Sequence, residues 1–204
     1  DNTDVSAVYT GACAYNAFTD FMGNCGTGNS VGLGTKGVTA AMSYAFDGGF
    51  SLAGGITSTP TGILAKAEND AFGLEAAYSA DSYGIAVAYS DVEAATDATF
   101  WGVNGYYAFD FATLSAGVES EDPVSGSTKT GFFVGLSFPE VGAGTFDIGL
   151  ATSANYASSD TEYYTYEASY SYPINDGMTI TPGVFIKEGT TDQTGFAVKT
   201  SFSF

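Results

Sequence analysis

The chain is 204 residues long, enough for one sizeable domain, and carries 27 Gly, 14 Tyr and 16 Phe against 5 Pro, a mixture that favours strands and tight turns over helices. Its 23 acidic residues are set against five lysines and no arginine, and the formal charge of −18 repels phosphate backbones and sets nucleic-acid binding aside. There is no histidine, which removes the commonest general base and metal ligand, and no apolar run approaches the ~20 residues of a membrane-spanning helix.

The opening "DNTDVSAVY" is acidic and polar, so we expect that a signal peptide has been cleaved or that the chain begins within a longer protein. A strand is predicted near Val5 to Tyr9. It leads into "CAYNAFTDFMGNC", where Cys13 and Cys25 are expected to form a disulfide in an oxidising compartment, and two free thiols in a reducing one. Closing so short a loop is worth about 3 kcal/mol in chain entropy. The disulfide-closed loop, 11 to 30, belongs to one expected domain covering 1 to 204.

From residue 38 a two-residue alternation recurs. Val38, Ala40, Met42, Tyr44 and Phe46 share a face, "DGG" turns the chain, and Phe50, Leu52, Gly54 and Ile56 resume it. Phe72, Leu74, Ala76 and Tyr78 follow, then Tyr83, Ile85, Val87 and Tyr89. Trp101, Val103, Gly105, Tyr107 and Phe109 precede Ala112, Leu114, Ala116 and Val118. Phe132 to Phe138 and Phe146 to Leu150 flank "PEVGAG", Tyr164 to Tyr172 and Met178 to Ile186 flank "PINDG", and Phe196 to Phe204 ends the chain. Period two over this many segments predicts about twelve strands, each with one apolar face. Short turns centred near Asp47, Asp81, Asp110, Glu140 and Asp176 alternate with longer polar stretches at 58–70, 91–97, 120–128, 153–161 and 187–192.

A soluble β-sandwich and a membrane barrel both alternate, and two features favour the barrel. The second face of the strands is Gly, Ala, Ser and Thr rather than the Lys and Glu of a solvated sheet. The aromatics also bracket an aliphatic band in two rows. Phe46, Phe50, Tyr78, Tyr83, Phe109, Phe138, Tyr172 and Phe204 lie beside the short turns, and Phe72, Tyr89, Trp101, Phe132, Tyr164 and Phe196 lie at the opposite strand ends. That is the interfacial girdle of a transmembrane barrel. The expected fold is all-β, an antiparallel transmembrane barrel of about twelve visible strands, by itself or as part of a larger one of about sixteen. Short turns and the chain end then lie on the periplasmic side, and the cysteine loop outside.

The stretch "YSYPINDGMTITPGVFIKEG", followed by "GFAVKTSFSF", resembles the C-terminal barrel segment of cyanobacterial outer-membrane porins of the carbohydrate-selective family. The resemblance covers about the last 35 residues, with the family's "ITPGV"-like run falling on Ile180 to Val184. It implies a bacterial outer-membrane location and a role for Phe204 in the signal read by the barrel-assembly machinery. Members of that family are usually longer, with an N-terminal surface-layer-homology domain and coiled coil before a larger barrel, so these 204 residues are expected to be either a shortened relative or the C-terminal part of a bigger porin. Porin constrictions commonly use arginine, which this chain lacks, so selectivity for sugars is not carried over.

Without histidine no Ser-His or Asp-His hydrolase site can be assembled, and no catalytic residue, metal site or cofactor is expected. For a channel the lumen charges matter most. Inward parity falls on Glu75, Asp147, Glu167 and Lys199 near mid-strand, with Glu119 and Lys187 nearer the outer ends. An acidic excess predicts a weakly cation-preferring porin that passes small hydrophilic solutes or ions; the bland alternative pairs Lys199 with Glu167 on the wall. Segment 58–70, with Ile63 and Leu64, is expected either to fold inward as a constriction or to pack over the rim. Two other readings stay open: a narrow or plugged barrel with a surface-layer, adhesion or structural role, and a secreted β-sandwich. Expected partners are outer-membrane lipid, the barrel-assembly machinery and the permeant solutes, with a homotrimer as a candidate assembly.

Overall fold

A computed structural model describes residues 38–58, 70–93, 98–153 and 156–203. Its first hairpin shows why the turns fall where the sequence places them. β1 (Val38–Ala45) and β2 (Phe50–Ser58) are joined through Asp47, Gly48 and Gly49, whose two glycines have φ of +91° and +87°. Tight hairpins need this left-handed backbone to match the strand twist, and L side chains resist it. Gly49 is doubly constrained, because a Cβ there would lie 2.0 Å from the Ser79 carbonyl oxygen.

The chain continues through β3 (Asp70–Ser79), β4 (Tyr83–Val92), β5 (Ala98–Ala108), β6 (Thr113–Pro123), β7 (Lys129–Val141) and β8 (Gly144–Thr152). It ends with β9 (Tyr156–Ala157), β10 (Tyr164–Asn175), β11 (Met178–Lys187) and β12 (Gln193–Phe202). All twelve belong to one antiparallel sheet, and no helix occurs among the described residues. Each strand pairs with its sequence neighbour except β9, which leaves the path to pair with the start of β7, so that β8 pairs directly with β10. β1 and β12 are the two ends of the path and, among the described residues, are not paired with each other.

The eleven strands on the main path are those the alternation predicts from residue 38 onward; the twelfth is the two-residue β9, inside the polar connection 153–161. The strand near Val5 to Tyr9, the Cys13 and Cys25 pair, Ile63, Leu64 and Phe204 all lie outside the described residues. Apart from β9 the strands run from 8 to 13 residues, spanning the ~9–11 that a tilted strand needs to cross a bilayer.

Burial is inverted relative to a water-soluble protein. Along β4, Tyr83, Ile85, Val87 and Tyr89 are exposed while Gly84, Ala86, Ala88 and Ser90 are buried. Across the sheet Met42 is 78% exposed, whereas Ser115 and Glu119 are 0% and 1% exposed. A sandwich buries its large apolar side chains between sheets. Here the large apolar face is the outer one, as on a wall that meets hydrocarbon, which removes the sandwich alternative.

The outer aromatics touch one another, both along a strand end and across strands. Beside the short turns, ring centroids are 4.7 Å apart for Tyr44 and Phe46, 5.8 Å for Tyr78 and Tyr83, 4.7 Å for Tyr107 and Phe109, and 6.3 Å for Phe138 and Phe146. At the opposite strand ends Phe72 meets Tyr89 at 6.0 Å and Phe132 meets Tyr164 at 6.0 Å. Between the rows lie Leu52, Leu74, Ile85, Val87, Val134 and Ile148, all exposed.

Candidate functional site

The inner face is best described by its rungs, lines of residues paired across successive strands. One rung runs Glu75, Ala88, Gly102, Glu119 and Gly131 from β3 to β7. It sets Glu75 and Glu119 level with each other, three strand spacings or about 14 Å apart. A longer rung runs Ser79, Gly84, Tyr106, Ser115, Gly135, Gly149, Glu167, Phe185 and Gly195 from β3 to β12. Between these two lies Asn104, Gly117, Phe133, Ala151, Thr165, Lys187 and Gln193.

The four predicted lumen carboxylates sit on this face, each less than a tenth exposed. Small neighbours make room for them along the wall: Ala53 and Ala88 flank Glu75, Gly102 and Gly131 flank Glu119, and Ser137 and Ser169 flank Asp147. Glu167 has Gly149 on one side and Phe185 on the other. Asp147 is opposite Ser169, two residues from Glu167, so the two carboxylates are diagonal neighbours on one face, with Cα atoms about 7–8 Å apart.

The lysines divide differently from the sequence expectation. Lys199 is exposed and pairs with Thr181, four residues along β11 from the Phe185 that pairs with Glu167. Register therefore does not bring Lys199 and Glu167 side by side. The lysine it does bring is Lys187, half-buried, opposite Thr165 and hence diagonal to Glu167. Asp147, Glu167 and Lys187 form one continuous patch across β8, β10 and β11.

Sequence reasoning missed four inward residues that shape this face: Asn104, Tyr106, Phe133 and Phe185. Phe133 is 1% exposed, and the Tyr106 hydroxyl lies 3.1 Å from the Ser79 hydroxyl. The signal was present in the doublets Tyr106-Tyr107 and Phe132-Phe133. In a strand adjacent side chains point to opposite faces, so one ring of each doublet must enter the interior.

At the long-connection end the acidic residues engage local partners. Glu121 and Lys129, opposite each other on β6 and β7, form an ion pair of 3.6 Å, and the Thr128 hydroxyl donates to Asp122 at 2.8 Å. The Tyr164 amide donates to Glu188 at 3.0 Å, and its phenol donates to Glu162. Among the described residues no three of His, Cys, Asp and Glu come together as a metal-binding set. Chemically the wall offers carboxylates, hydroxyls, an amide and one half-buried ammonium, a surface that interacts with hydrated ions and polar solutes.

Comparison with known proteins agrees with this architecture. The Gram-negative porin family is matched over residues 2–194. The fold is similar to that of a porin refined at 1.8 Å, with a TM-score of 0.67 at 14% identity over 80% of this chain and 60% of that one. It is also similar to a triple mutant of the Rhodopseudomonas blastica porin, with a TM-score of 0.63 at 20% identity over 81% of this chain and 55% of that one. The chain thus spans little more than half the length of these two porins. No curated protein matches it.

Proposed function

The chain belongs to the Gram-negative porin family, and on that premise we propose that it forms a passive channel of the bacterial outer membrane for small hydrophilic solutes or ions. The observation that carries this reading is the inverted sheet, with exposed Met42, Leu74, Ile85 and Val134 outside and Ser90, Asn104, Ser115, Glu119 and Glu167 inside. An outer face of this kind is stable against lipid, and an inner face of this kind is stable against water. No bond-making chemistry is assigned to it.

The finer proposal is a weak preference for cations. Glu75, Glu119, Asp147 and Glu167 outnumber Lys187 and Lys199 on the inner wall, and a surface of one dominant sign raises the local concentration of counter-ions. A planar-bilayer recording across a KCl gradient tests both levels. We expect conduction with a reversal potential on the potassium side; a chloride-side potential sinks the cation preference, and a silent membrane sinks the channel. Cys13 and Cys25 are proposed to form an external disulfide within a single domain covering 1–204, Phe204 to contribute to recognition by the barrel-assembly machinery, and the assembly to be a homotrimer. Neutral sugars are among the small hydrophilic solutes to assay by vesicle swelling.

One observation favours a second reading. Glu75, Glu119, Asp147 and Glu167 are all less than a tenth exposed, as they would be in a narrow or plugged barrel serving a surface-layer, adhesion or structural role. A conductance too small to pass a hydrated ion freely, together with no sugar-driven swelling, favours that reading over the open channel.

A further inference from the structure

Three of the largest side chains on the inner face stand directly opposite glycine. Tyr106 pairs with Gly84, Phe133 with Gly117 and Phe185 with Gly195. A Cβ added to those glycines would lie 2.5, 2.5 and 2.3 Å from a ring carbon, so each ring occupies the space immediately over the glycine backbone. The Tyr106 hydroxyl supplies an independent sign. It reaches Ser79 Oγ at 3.1 Å, two strands away on the same rung, which requires the ring to be laid across β4 rather than raised from the wall.

Turn geometry does not account for these glycines, because Gly84, Gly117 and Gly195 are not among the residues with positive φ. A strand glycine without such a role gives up side-chain packing and backbone order, and close approach of another group is the common reason for one. Gly84 and Gly195 share the long rung and Gly117 lies on the neighbouring one, at different distances from their strand ends. Gly84 is one residue into β4 beside a short turn, Gly117 four residues into β6, and Gly195 two residues into β12 from the long-connection end.

We propose that Gly84, Gly117 and Gly195 set the calibre of the pore by letting Tyr106, Phe133 and Phe185 lie along the wall. The proposal rests on the channel reading. Barrels of about eight strands are filled by their own side chains, and those of sixteen or more hold an aqueous channel. Between those sizes, the tilt of a few rings decides how much cross-section stays open. A methyl group on any of the three glycines drives its ring off the wall and into the solute path.

The test is single-channel conductance of the full chain in planar bilayers, with heat-modifiable migration on gels as the check on folding. Gly117→Ala and Gly195→Ala are expected to lose conductance, and Gly195→Ala combined with Phe185→Ala, where the ring atoms are the nearest contacts of the added methyl group, to return to the wild-type value or above it. Phe133→Ala and Phe185→Ala alone need no extra space and are expected to gain conductance, so the proposal stays falsifiable if a glycine variant does not fold. A purely structural role for the rings would alter stability and leave conductance unmoved. Wild-type conduction with every folded variant at the wild-type value overturns the calibre role and leaves the channel reading standing; a silent wild type overturns both.

Discussion

Replacing Val87 by arginine separates a lipid-facing sheet from a water-facing one. Val87 lies on β4 between Tyr83 and Tyr89, which belong to the two aromatic rows, and it is 44% exposed on the outer face. If that face meets lipid, the guanidinium enters hydrocarbon near the bilayer midplane, where arginine on the lipid face of a barrel costs about 2–4 kcal/mol. The folding equilibrium should fall about 30- to 700-fold, at a factor of ten per ~1.4 kcal/mol. Thr99 lies on the same face beyond Trp101 at the long-connection end of β5, and Thr99→Arg should cost only about 0–1 kcal/mol because charge near the interface is tolerated. Val87→Leu, which keeps the apolar surface, should stay near wild type.

Trp101 provides the assay. It is the single tryptophan, half-exposed on the outer face within an aromatic row, so its emission reports transfer from lipid to water. Guanidinium titration of vesicle-inserted protein, followed at Trp101, gives the stability of each variant from the shift in midpoint. If Val87→Arg changes stability by no more than ~0.5 kcal/mol, the usual range for a solvent-exposed site, then β4 does not face lipid and the transmembrane reading of the sheet fails with it.

Three further outcomes follow from particular contacts. Gly49→Ala should destabilise the first hairpin by about 1–3 kcal/mol in the same titration, since it forces a Cβ into a left-handed backbone and to 2.0 Å from the Ser79 carbonyl oxygen; an unchanged midpoint would mean that the hairpin relaxes freely. Glu75→Gln with Glu119→Gln should move the potassium-to-chloride permeability ratio towards unity, measured as reversal potential, while Glu188→Gln at the rim should move it less. Lys129→Met removes a partly exposed ion pair of 3.6 Å with Glu121 and should cost less than about 1 kcal/mol, with conductance unaltered.

The outer face was legible in the sequence because one requirement governs all of it. Hydrocarbon accepts the same few side chains on every strand, so Leu52, Leu74, Ile85 and Val134 declare themselves by period alone, and the aromatics mark where hydrocarbon stops. The short turns were legible for a similar reason, as "DGG" at Asp47 specifies its own backbone. The inner face obeys no single solvent. A residue there is defined by what stands opposite it two or three strands away, and that information is spread along the chain. The sequence offered Lys199 as the wall partner of Glu167, but register puts Lys187 diagonal to Glu167 and Lys199 opposite Thr181, four residues along β11 from Phe185.

Register is also why the rung from Ser79 to Gly195 is a sharper constraint than any one residue in it. The rung exists because the connections between β3 and β12, and the irregularities at Phe138/Val141 and Pro173/Asn175, bring nine inner positions level. Shifting one strand by a single residue would turn its entire outer set inward. A two-residue slip would keep the faces correct and preserve the hydrophobic pattern, yet it would move Phe133 off Gly117 and set its ring against Ser115 or Glu119. The outer pattern cannot distinguish those registers. The ring-on-glycine contacts can, because only the native register offers each ring a neighbour without a side chain. The glycines opposite Tyr106, Phe133 and Phe185 thus select among alignments that the hydrophobic alternation leaves equivalent.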